Sequence, residues 1–202
     1  MALFAVKSAI AALVTAAAVA PFAVAQSDSA TGTEQVETGR VRLRNGADVV
    51  YRIRLLPLAS FPALPAAVAE QLEQRKCMIP QTYEARAPEN VVHASLERKG
   101  SSDWAVLCSV NGATTLYVFL QSQPGSPIAL RAQRNTEWLG SEMVGAYGSA
   151  WGIARRSPSQ IRGPKASHLD VDHDGIDDAF VEKSSTTHYF QDGSWLTLEN
   201  SN

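Results

Sequence analysis

Five aspartates fall within nine residues, Asp170-Val171-Asp172-His173-Asp174-Gly175-Ile176-Asp177-Asp178. Carboxylates this close repel one another unless a cation or solvent screens them. The alternation Asp-x-Asp-x-Asp-Gly aims several hard oxygens at one centre. Glycine at the sixth position permits a sharp turn, and a backbone carbonyl serves at the seventh. The stretch reads as a calcium loop, with carboxylates from Asp170, Asp172, Asp174 and Asp178 and a carbonyl from Ile176. The competing reading is an aspartate-rich turn without metal, because aspartate caps its own backbone and tolerates left-handed conformations. A fully ligated loop leaves no open coordination position, so the expected role of calcium is structural. His168 and His173 flank and interrupt the loop, but alternate side chains diverge and an oxygen-rich site favours a hard cation over zinc.

Other chemistry is thinly represented. The sequence has no Gly-x-Ser-x-Gly elbow, no His-Glu-x-x-His and no glycine-rich phosphate loop. His93 and His188 read as strand residues with satisfied side chains. Trp104, Trp138, Trp151 and Trp195 read as core, with an aromatic binding groove as the alternative. Arg40, Arg42, Arg44, Arg52 and Arg54 read as the solvated face of a half-buried sheet, with an anion-binding strip as the alternative.

The compartment follows from the first residues. Lys7 precedes an apolar run, Ser8 to Ala20, which Pro21 breaks, and Ala23-Val24-Ala25 before Gln26 fits a small-x-small cleavage pattern. Thirteen helical residues reach only about 20 Å, too short for a hydrocarbon core of about 30 Å. Residues 1–25 therefore read as a signal peptide, and the expected location is periplasmic or secreted. The remaining 177 residues suit one domain, and their net charge, near −3, carries no polybasic footprint for nucleic acid. No membrane span is expected in the mature chain. Cys77 and Cys108 read as one disulfide in an oxidising compartment.

Residues 26–38 are small, polar and acidic and read as a disordered lead-in, with a single globular domain over 39–202. Arg40-Val41-Arg42-Leu43-Arg44 alternates, Asn45-Gly46 signals a two-residue hairpin, and Val49 to Leu55 supplies the return strand. Pro65 suits the first turn of a helix over Ala66 to Lys76, with Leu64, Val68 and Leu72 on one face. Strands are expected at Val91–Leu96, Trp104–Cys108 and Thr115–Leu120, and shorter ones at Ser149–Ala154 and Gln160–Arg162. A weak repeat of 75 residues relates Asp103 to Asp178, each before a short apolar strand. The fold class is mainly β, antiparallel and hairpin-rich, with one short α-helix; an α+β arrangement is the alternative.

The acidic loop followed by Asp178-Ala179-Phe180-Val181 resembles the calcium loops of FG-GAP repeats, as in integrin-type propellers. The resemblance covers residues 168–198, with a degenerate echo at 95–119, and it implies that Phe180 and Val181 start a strand after the loop. Val181 stands where an EF-hand would need a bidentate glutamate. More broadly, Cys77-Met78-Ile79-Pro80-Gln81, Asp103 to Cys108 and Asp172 to Lys183 resemble an uncharacterised family of secreted bacterial proteins over residues 51–198, which implies no nameable activity. The expected function is a secreted or periplasmic, non-enzymatic binding or structural domain, partnered by an envelope or extracellular protein or a glycan. A hydrolase or inhibitor without a recognisable motif is the alternative.

Overall fold

A computed structural model describes residues 32–141, 145–162 and 169–200. The expected signal peptide lies outside the described residues, as do residues 26–31 of the lead-in. Strands β1 (Gln35–Arg42) and β2 (Asp48–Leu56) form the first hairpin, so regular structure starts four residues before Gly39, inside the lead-in. Inward positions Val41, Val49, Tyr51, Ile53 and Leu55 alternate with outward arginines, as the period-two pattern requires. The turn differs from the expected two-residue type. Leu43 pairs with Ala47 and the Gly46 N–H donates to the Leu43 carbonyl, so three residues form the loop, with Gly46 at φ +85°.

A 3₁₀ turn at Leu58–Ser60 leads to α1 (Ala66–Gln74), which buries Val68 and Leu72. Then follow β3 (Ile79–Pro80), β4 (Val91–Ala94), β5 (Asp103–Val110), β6 (Ala113–Phe119) and β7 (Ile128–Arg134). Here Asn111-Gly112 makes a true two-residue turn, both residues at positive φ. A two-stranded ribbon of β8 (Leu139–Gly140) and β9 (Gly148–Ser149) precedes β10 (Trp151–Arg156). A Cβ on Gly140 or Gly148 would collide with the Tyr83 side chain, so that ribbon needs both glycines. The one-turn helix α2 (Pro158–Ile161) replaces the strand expected at Gln160–Arg162, because Ser157 and Gln160 form a capping box with proline at the first helical position. Last come β11 (Gly175–Phe180), β12 (Ser184–Gln191) and β13 (Ser194–Glu199).

The fold class is mainly antiparallel β with a short helix. The sheets run β1-β2-β3, β4-β5-β6-β7 and β10-β11-β12-β13, and the two four-stranded meanders meet at β4 and β10. Strand β5 is buried at all but its last residue. Its Ala105 and Leu107 pack towards Trp151, Ile153 and Ile176 of the last sheet. Its Trp104, Val106 and Cys108 pack towards Val68, Leu72 and Ile79. The sequence repeat corresponds to these meanders only in outline. Asp103 opens β5 opposite Ala94, whereas Asp178 is the fourth residue of β11, opposite Ile153; the position equivalent to Asp103 is Gly175.

Cys77 and Cys108 form a disulfide with Cα atoms 5.1 Å apart, tying the exit of α1 to the central strand. Bridging a loop of this length removes about 3–4 kcal/mol of disorder from the unfolded chain. The double variant Cys77→Ala/Cys108→Ala is therefore expected to lose about 3 kcal/mol in denaturant titration, with a lower denaturation midpoint and a steeper dependence on denaturant. Intact, unreduced protein should show no alkylatable thiol by mass spectrometry.

Candidate functional site

The acidic stretch straddles a boundary: residues 170–174 form the approach to β11, and residues 175–178 lie inside it. The strand thus begins at Gly175, not at Phe180, and Val181 lies in the following turn. The physical reason is pairing on both sides: Ile176 stands opposite Arg155 of β10 and His188 of β12, and its side chain is fully buried. Its carbonyl therefore belongs to a sheet ladder.

The five expected ligands separate accordingly. Asp178 is 1% exposed. Its Oδ1 accepts from Trp151 Nε1 at 2.7 Å, and its Oδ2 accepts from His188 Nε2 at 2.9 Å and an Arg131 guanidinium nitrogen at 3.1 Å. The Arg131 guanidinium also lies 4.4 Å from the Trp138 ring centre. Burial opposes the charge on Asp178, but the hydrogen bond from His188 and the neighbouring Arg131 outweigh it and hold the carboxyl below the usual carboxylate range. Asp174 is 5% exposed; its backbone N–H donates to the Ser95 carbonyl at 2.9 Å, and its carboxylate accepts from the Ser95 N–H and Arg155. It fastens the end of β4 to the start of β11.

Asp170 and Asp172 remain at the surface of a concavity of about 330 Å³, where Glu97, Arg98, Gln191 and Asp192 join them. The Asp172 side chain is 58% exposed and accepts from His173 Nδ1 at 2.6 Å, which holds its carboxyl below the ordinary range. The other nitrogen of His173 lies 2.9 Å from the Phe190 carbonyl, and the ring stacks on Tyr189, whose hydroxyl donates to the Asp170 carbonyl. The structure therefore brings together Asp170 and Asp172 and takes Asp174, Ile176 and Asp178 elsewhere. Among the described residues, no three histidine, cysteine, aspartate or glutamate side chains converge as a metal centre would require. His168 lies outside the described residues.

Sequence reasoning missed Arg131, Trp151 and His188 as partners of Asp178, because the first two come from distant strands and the third meets it only through the register of the β11–β12 hairpin. It also left Glu97 and Asp192 out of the acidic surface. Asp192-Gly193 is a legible hairpin turn, and it carries that carboxylate to the concavity. The expected core role of the tryptophans holds for Trp104 and Trp151, at 8% and 3% exposure; Trp138 and Trp195 pack, half-buried, against the same core.

Asp178 and His188 have the groups of an acid–base pair, and the exposed Thr197 hydroxyl is 3.5 Å from His188 Nδ1. Both side chains, however, are sealed within the sheet. A second concavity, about 360 Å³, lies over β10 and β11, with Gly152, Ala154 and Ala179 along it and Glu84, Arg86 and Asp177 among its polar residues. Comparison with family models, with curated proteins and with solved structures found no match to this chain.

Asp178→Asn leaves Arg131 without its counter-charge and removes the carboxylate that binds His188 Nε2, and breaking a buried pair costs about 3–5 kcal/mol. Asp170→Asn, at the surface, should change stability by about 0.5 kcal/mol or less. Because Asp178 titrates below its unfolded value, its contribution is complete above about pH 4, the usual aspartate range, and is lost as pH falls through the folded value. Denaturant titrations from pH 7 down to pH 2 are expected to show an acid-side loss in the wild type that is smaller in Asp178→Asn.

Proposed function

We propose that this chain is an exported, non-enzymatic binding or structural domain, stapled by its disulfide and tightened by calcium at the acidic turn. The observation that carries this reading is how the reactive side chains are used. Asp103 accepts from the backbone N–H groups of Leu96, Glu97 and Gln121, at 2.7, 2.8 and 2.7 Å, and from the Ser101 hydroxyl. Asp174 joins β4 to β11, and Asp178 joins β7, β10, β11 and β12. Carboxylates so committed stabilise a framework and are not presented to a substrate. The leader-like first 25 residues and the bridged cysteines support export to an oxidising compartment.

Calcium enters this reading through Asp170 and Asp172 alone of the original set. These two share their concavity with Glu97 and Asp192, so four carboxylates from three segments lie around one hollow, with Arg98 beside them. These side chains do not converge as they stand, and a hard divalent cation, which suits oxygen donors, draws them together. Its role is to hold the approach to β11 in place. The groove over β10 and β11 has the volume of a small binding site and supports an envelope or extracellular protein segment or a glycan as partner.

Millimolar calcium is expected to raise the melting temperature and a chelator to lower it, with magnesium less effective because it sheds water reluctantly. At one hundred times its dissociation constant, a ligand that binds only the folded state adds about 2.7 kcal/mol. Asp172→Ala should remove the response, and His173→Ala should weaken the turn without removing it. Identical melting curves in calcium and chelator would remove calcium from the proposal.

A further inference from the structure

The outer face of the β1–β2 hairpin combines charge and apolar surface in a way the framework reading leaves unused. By register, Val36 lies opposite Arg54, Thr38 opposite Arg52, Arg40 opposite Val50, and Arg42 opposite Asp48. All eight are exposed. Val36 and Val50, at 37% and 53% exposure, are the exposed large hydrophobic residues among those described, and both sit on this face. Arg44 extends the row at the hairpin tip. Arg54 is occupied by Glu34 at 2.8 Å, and Arg42 donates to the Gly46 carbonyl. The guanidinium groups of Arg40, Arg44 and Arg52 have no hydrogen-bond or ion-pair partner among the described residues, although Arg52 lies within the field of Glu34.

We infer that this face docks on a bilayer surface bearing anionic phospholipid. The inference rests on the proposal that the domain is exported and binds an envelope component, and it names that component. Charge complementarity selects the partner: guanidinium groups bind phosphate oxygens in bidentate fashion, and unpaired arginines on an otherwise acidic chain mark where an anion is received. The two valines select a bilayer over a soluble polyanion, because apolar side chains between cations gain by entering the headgroup boundary. The ribbon is two strands wide, with side chains about 7 Å apart along each strand, so its cations meet a plane of headgroups together.

The experiment is flotation of the purified mature domain with vesicles of phosphatidylcholine alone or with one-third phosphatidylglycerol. Binding is expected to the anionic vesicles only and to decline between 0.05 and 0.5 M salt. Each arginine near such a surface contributes about fivefold to partitioning, so Arg40→Gln/Arg44→Gln/Arg52→Gln should reduce it about a hundredfold. Replacement of the same three by lysine should retain most of it. Val36→Ser/Val50→Ser should weaken vesicle binding while leaving retention on dextran sulfate unchanged. These positions are exposed, so unchanged melting temperatures confirm that each variant is folded. No flotation at low salt, flotation unaffected by the arginine changes, or valine variants that float like the wild type would each overturn the membrane partner. Export is read separately, by recovery of the mature domain from the periplasmic fraction or culture medium; its failure would strike the parent proposal instead.

Discussion

A strand whose apolar side chains point to both sides cannot lie at a surface, and β5 is such a strand. Trp104, Val106 and Cys108 point one way and Ala105 and Leu107 the other, all buried. Each face must therefore be covered by something that brings its own apolar side. One cover is α1 with β3 and the 3₁₀ turn, whose Leu58, Val68, Leu72 and Ile79 supply the contact. The other is the β10–β13 sheet, through Trp151, Ile153 and Ile176. At about 25 cal/mol per Å² of apolar surface removed from water, both contacts are strongly favourable, and neither cover has a comparable alternative. The layering of the molecule follows from one stretch of eight residues.

Covering β5 twice has a polar consequence. Where two separate sheets abut, backbone groups at the seam have no ladder partner, and leaving them unpaired costs about 1–3 kcal/mol each. Buried side chains supply the missing partners. Asn90, 2% exposed and at positive φ, donates to the carbonyls of Pro80 and Trp151 and accepts from the Ile153 N–H. Asn135 donates to Glu37 and Ser109 and accepts from Thr114, linking the first hairpin to the β4–β7 sheet. Asp174 and Asp178 do the same work with charge. These residues define how the layers sit together, because apolar packing alone is tolerant of sliding whereas a hydrogen bond is not.

The parts of this design that sequence could disclose were local. Alternation exposed β1 and β2, the four-residue stripe of Leu64, Val68 and Leu72 exposed α1, and the strands around Trp104 and Tyr117 stood out through β-branched and aromatic content. Strand β7 was hidden because Ile128-Ala129-Leu130-Arg131-Ala132-Gln133-Arg134 is rich in residues that favour helices, and its pairing with β6 overrides that preference. Strand β13 follows the Asp192-Gly193 turn, a local hairpin signal. The acidic stretch illustrates the deeper limit. Its spacing suggests one centre, yet a sheet register sends Asp178 inward and leaves Asp172 outside, and register depends on partners far away in sequence. Which carboxylate meets Arg131, Trp151 and His188 is a property of the assembled sheets.

The bridge between Cys77 and Cys108 also changes the covalent topology of the chain. It encloses β3, β4 and the loop between them, including exposed residues from Arg86 to Pro88. Loop tips of this kind are where proteases nick folded domains. A cut there would open the backbone without releasing a fragment, since Cys77 of the first piece remains bonded to Cys108 of the second, in the buried central strand. The pieces would stay in place and the β5 core would stay covered. A chain bridged in this way persists after damage that would dismantle an unbridged one.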